Sequence, residues 1–114
     1  MPLNSRRKTS RVDAHEVRVY WSSGGKNDVL RARNLSLGGM FVETRKPPPV
    51  GATAQIDFLV DEGQIRTKAV VRHVQTASGM GLEFTAVAKE DRPHLAALLT
   101  RLRSLCQSQH NLNR

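Results

Sequence analysis

Along most of the chain, apolar and polar residues alternate. Over residues 15–21, Val17, Val19 and Trp21 fall on one face and Glu16, Arg18 and Tyr20 on the other, the pattern of a half-buried strand. The alternation returns over residues 28–34, with Leu30 and Ala32 opposite Val29, Arg31 and Arg33, and again over 39–44. It continues over 52–60 through Ile56, Phe58 and Val60, and over 64–74 through Ile65, Thr67, Ala69 and Val71. A short run at 80–84 turns Met80, Leu82 and Phe84 inward. Gly81 inside it marks a bulge, or a place where something packs against the backbone. Turn chemistry separates the runs: Ser22-Ser23-Gly24-Gly25, Pro47-Pro48-Pro49, Asp61-Glu62-Gly63 and Ala77-Ser78-Gly79.

The period then changes. Leu95, Leu98, Leu99, Leu102, Leu105 and Cys106 recur at helical spacing and predict one amphipathic helix. Pro93 fits only its first turn, so the helix should begin within residues 90–92. Glu90 and Asp91 near its start and Arg101 and Arg103 near its end suit the helix dipole. Residues 107–114 are polar and read as a frayed tail. The expectation is a mainly β, all-β-class domain of six short antiparallel strands, closed or nearly closed into a barrel, with one C-terminal α-helix. The body of the domain spans residues 15–106, and no internal repeat or second domain is apparent.

Composition adds a partner class. A formal charge of +8 on 114 residues points to an anionic partner. Part of that charge is concentrated in residues 1–14, where Arg6, Arg7, Lys8 and Arg11 precede the first acid and no apolar period is visible, so this stretch reads as a flexible basic arm. The lone Cys106 rules out an intramolecular disulfide and suits a reducing, cytoplasmic setting as a buried thiol. No secretory h-region and no apolar run long enough for a membrane span is present.

Catalytic signatures are missing. The four histidines are scattered, without His-Glu-x-x-His or Cys-x-x-Cys spacing, and no nucleophile elbow or phosphate loop occurs. The expectation is no enzyme, no metal and no resident cofactor. His94 reads as a surface or dipole-compensating residue, and Arg72 as part of a solvated strand face that could add a ligand contact.

One stretch resists a purely structural reading. In Arg33-Asn34-Leu35-Ser36-Leu37-Gly38-Gly39-Met40, Asn34 and Ser36 are small hydrogen-bonding side chains at alternate positions. Gly38 and Gly39 permit a positive φ, or a close approach to the main chain. Arg7-x-x-x-Arg11 followed by Asn34-x-Ser36-x-x-Gly39 resembles the bipartite signature of the PilZ domain, a family that binds cyclic di-GMP. The strand count, the closing Gly81-x-x-Phe84 and the terminal helix extend the likeness over nearly the whole chain.

The resemblance implies a six-stranded PilZ-like β-barrel acting as a non-catalytic second-messenger receptor. It implies that Arg7 and Arg11 clamp phosphate and guanine, that Asn34 and Ser36 hydrogen-bond a guanine and its phosphate side, and that Gly39 keeps the floor of the site low. Arginine's planar fork suits both phosphate oxygens and guanine O6 and N7. Asn34 stands where the family has Asp or Asn; it keeps an acceptor and lacks a carboxylate for guanine N1–H and N2–H. Arg6 before the first motif arginine implies an intercalated ligand dimer, whose added charge an extra guanidinium would meet. The chain would then signal to a downstream protein that the sequence does not name. Two other readings remain: a PilZ-like scaffold that binds only protein, and a basic barrel for RNA or single-stranded DNA. Nucleic acid is disfavoured because Phe41, Phe58 and Phe84 have core phases and Tyr20 alone offers an exposed ring.

Overall fold

The computed structural model describes residues 11–112, and side chains over 11–105. Its strands are β1 (Val12–Asp13), β2 (Arg18–Ser23), β3 (Lys26–Leu35), β4 (Gly39–Glu43), β5 (Thr53–Leu59), β6 (Arg66–Gln75) and β7 (Gly79–Val87). A 3₁₀ turn at Lys89–Asp91 leads into α1 (Arg92–Leu112). All pairings are antiparallel, and a β3–β4 pairing joins the two sides of the sheet, closing six strands in the order β3-β2-β5-β6-β7-β4. The expected six-stranded barrel with one C-terminal helix is therefore present, with β1 as an added strand.

Strand phase places the core. Val17, Val19 and Trp21, then Leu30 and Ala32, then Ala54, Ile56 and Phe58 are buried, as alternation predicts. Leu95, Leu98, Leu99 and Leu102 of α1 complete the same cluster. Pro93 lies in the first turn of α1, as expected. Leu105 is exposed, and the side chain of Cys106 lies outside those described. The helical backbone continues to Leu112, beyond the stripe at which the sequence suggested an end.

Polar contacts fix the helix to the barrel. Arg101 Nε donates to Glu62 Oε2 at 2.5 Å, and Arg101 Nη1 donates to Glu16. His94 Nδ1 lies 2.8 Å from the Gln64 carbonyl oxygen. Asp91, expected to serve the helix dipole, is instead buried and accepts from Arg66 N at 2.9 Å and Arg66 Nε at 3.0 Å.

Strand lengths depart from expectation where alternation carries no signal. β7 runs on to Val87 because Ala86 and Val87 pair with Lys68 and Thr67, although its last residues are largely exposed. Phe41, read as a core residue, is buried but stands outside the core cluster, on the outer face of β4. The Arg33 guanidinium lies 4.8 Å from its ring centroid and the His73 ring 5.8 Å away.

Candidate functional site

The site is built where β3 turns into β4. A bulge between Ala32 and Asn34 shifts the phase of β3, so that Ala32 and Leu35 both point into the core and Asn34 points out. On the same edge of β3 that pairs with β2, β1 pairs Val12 with Leu35 and Asp13 with Asn34. The end of the basic stretch is thus laid against Asn34. Arg11 Nη1 donates to Asn34 Oδ1 at 2.7 Å. Arg6 and Arg7 lie outside the described residues.

Ser36 closes the turn. Its Oγ accepts from the backbone N–H groups of Gly38 and Gly39, each at 3.2 Å, while its own N–H donates to the Gly39 carbonyl at 2.9 Å. The residue is 1% exposed, so in the ligand-free chain its hydroxyl shapes the turn instead of facing solvent. The glycines do not serve a left-handed turn, because the positive-φ glycines are Gly24, Gly25, Gly51 and Gly63. Gly39 is required for another reason: a Cβ there would overlap the Leu82 carbonyl oxygen of the neighbouring strand.

Arg11, Ser36, Gly38 and Gly39 form one side of an open cavity of about 290 Å³. Arg72, His73, Gly81 and Glu83 form the other. This second wall comes from a bulge between Val71 and His73 in β6, which turns two successive residues, Arg72 and His73, outward together. The His73 ring lies against Gly81, where any Cβ would collide with it. Arg72 Nε donates to Glu83 Oε1. The glycine at 81 was legible as a close-packing position and Arg72 as an outward strand residue that could add a ligand contact, whereas His73 and Glu83 were not singled out, His73 because the bulge breaks the period.

Larger hollows of about 500 Å³ lie beside Asp57, Arg66 and Glu90, and beside Arg33, Glu43 and Arg45. In these hollows Arg66 binds Asp91 and Arg33 Nε lies 3.7 Å from Glu43, and neither hollow is lined by Arg11, Ser36 or Gly39. Chemistry, not size, selects the cavity at Gly39, where the Gly38–Gly39 turn meets the guanidinium groups of Arg11, itself bonded to Asn34, and Arg72. Among the described residues, no group of three or more His, Cys, Asp or Glu side chains is placed to hold a metal ion, and no helix is long and apolar enough to cross a membrane.

The family model described as PilZ domain matches residues 5–101. No curated protein sequence matches significantly. Among solved structures, the PilZ domain with c-di-GMP of YcgR from Escherichia coli is similar at 21% identity and a TM-score of 0.74, covering 93% of this chain and 98% of that one. The inhibitor of motility MotI/DgrA of Bacillus subtilis is similar at 25% identity and a TM-score of 0.70, covering 96% of this chain and 54% of that one. The MrkH–c-di-GMP complex of K. pneumonia matches at 20% identity and a TM-score of 0.73, covering 91% of this chain and 55% of that one. The chain therefore spans about half the length of MotI and MrkH.

Proposed function

The chain belongs to the PilZ domain family, and from that premise we propose that it binds cyclic di-GMP at the Gly39 cavity as a non-catalytic receptor. The observation that carries this reading is the Arg11–Asn34 hydrogen bond, which joins the two halves of the motif over one cavity. Two similar structures, of YcgR and MrkH, are described as holding the same ligand.

In this reading Arg6, Arg7 and Arg11 supply guanidinium forks for phosphate and guanine, and Arg6 favours an intercalated ligand dimer. Asn34 offers its amide to a guanine edge. Ser36 acts chiefly by holding the Gly38 and Gly39 N–H groups in place beside the ligand. Gly39 keeps β4 tight against β7, so the floor of the site stays low. The bound arm then offers a changed surface to a downstream protein in the cytoplasm. Tyr20 is the one aromatic ring in the exposed class among the described residues, which leaves little platform for stacking nucleic-acid bases.

Calorimetric titration of cyclic di-GMP into the wild type and the Arg7→Ala/Arg11→Ala double variant tests the proposal. Saturable binding that the double variant loses supports it, and a stoichiometry of two ligands per chain supports the dimer. Equal heats, or no binding by the wild type, overturn it.

A further inference from the structure

The cavity beside Gly39 contains a cation outside both motif halves, and that cation is already occupied. β4–β7 register sets Glu83 directly opposite Gly39, so its carboxylate stands at the rim of the motif turn. The β6 bulge sends Arg72 to the same rim, and its Nε donates to Glu83 Oε1. Both side chains are more than half exposed, at 61% and 52%, and both line the cavity with Arg11. Arg33, the other arginine nearby, is committed elsewhere, over Phe41 and toward Ser78 at 3.3 Å.

A carboxylate in the wall of a phosphate site is unfavourable on its own, because it repels the ligand it adjoins. It becomes intelligible beside an arginine that needs an anion in the absence of ligand. We propose that Glu83 is an internal stand-in for phosphate: it occupies Arg72 in the free protein, and a phosphate of the cyclic dinucleotide displaces it. Arg72 is thereby a ligand-binding residue of this site, and Glu83 its competitor. The inference rests on the binding reading above. Exposed ion pairs hold weakly, so the exchange is easy, and a guanidinium fork can meet phosphate oxygens bidentately. His73, its ring against Gly81, lines the same cavity, next to Arg72 in the sequence of β6.

The test is a double-variant cycle read by calorimetric titration with cyclic di-GMP: wild type, Arg72→Ala, Glu83→Gln, and both together. Arg72→Ala is expected to weaken binding by about tenfold or more, as loss of a charge-assisted hydrogen bond implies. Glu83→Gln is expected to tighten binding several-fold in the wild-type background and to have no effect once Arg72 is gone. If Glu83→Gln tightens both backgrounds equally, the carboxylate acts by general repulsion and the stand-in is overturned. Equal affinity of all four proteins overturns the role of Arg72 while leaving the binding reading intact. A wild type that takes up no ligand overturns that reading, and this inference with it. Arg72→Lys, which keeps the charge and loses the fork, covers failure of the alanine variant to fold; it should bind more weakly than wild type, and unchanged affinity counts against the exchange.

Discussion

Arg11 and Asn34 are joined by a 2.7 Å hydrogen bond although 23 positions separate them in the chain. The bond spans exposed groups and ends on a neutral amide, so it contributes little to folding and leaves the guanidinium available to a better acceptor. Arg11→Ala should therefore separate binding from stability. Affinity for cyclic di-GMP should fall about tenfold to a hundredfold, from the roughly 1.5–3 kcal/mol of a charge-assisted hydrogen bond. Stability to urea should change by no more than about 0.5 kcal/mol. A variant that unfolds early and binds normally would reverse this assignment.

Gly39 and Gly81 should respond differently to alanine. A Cβ at Gly39 meets the Leu82 backbone carbonyl, which cannot move without opening the β4–β7 ladder. Gly39→Ala should cost roughly 1–3 kcal/mol in urea unfolding, the range for overpacking. The atoms nearest a Cβ at Gly81 belong to the His73 side-chain ring, not to backbone, and a ring can rotate. Gly81→Ala should cost less stability and instead weaken ligand binding by pushing that ring into the cavity. Comparable stability losses at the two positions would show that His73 is held rigidly.

The same contrast explains what the sequence disclosed. Val19, Trp21, Ile56 and Phe58 alternate in unbroken strands, and all are buried as their phase predicts. Arg11, Asn34 and Gly39 were legible because they belong to spaced motifs, and the structure brings them together. Of the opposite wall, Arg72 and Gly81 were legible, whereas His73 was hidden by the shift between Val71 and His73, since one extra residue reverses every facing after it. Phe41 was misread for a related reason: it is buried by Arg33 and His73 on the outer face, which strand phase does not register. The bond from Arg66 to Asp91 spans 25 positions, and no local pattern announces it.

The helix gives a plain test of how far the stripe extends. Leu98 is fully buried in the barrel core, whereas Leu105, in the same periodic series, is 39% exposed. Leu98→Ala should destabilise by about 2–5 kcal/mol, the cost of a cavity in a packed core. Leu105→Ala should stay near 0.5 kcal/mol, as a surface change does. Chemical denaturation of both variants measures the difference, and equal losses would mean that Leu105 is buried in solution.

Acid should weaken the barrel at two identified carboxyls. The hydrogen bond from Arg101 holds Glu62 below its ordinary value of 4.5, and that from Arg66 holds Asp91 below 3.8. Each group binds fewer protons folded than unfolded in this region, so stability rises with pH there. Their contribution is complete above those ordinary values and is lost as pH falls through the lowered, folded ones. Urea midpoints for the wild type should therefore drop steeply between about pH 5 and about pH 2, and Asp91→Asn should flatten the lower part of that fall. Glu62→Gln should flatten its upper part, because the ordinary value of Glu62 is the higher. Asp91→Asn curves that stay parallel to wild type throughout would mean that Arg66 does not hold the carboxylate in solution. The 3₁₀ turn leading into α1 would then need another anchor.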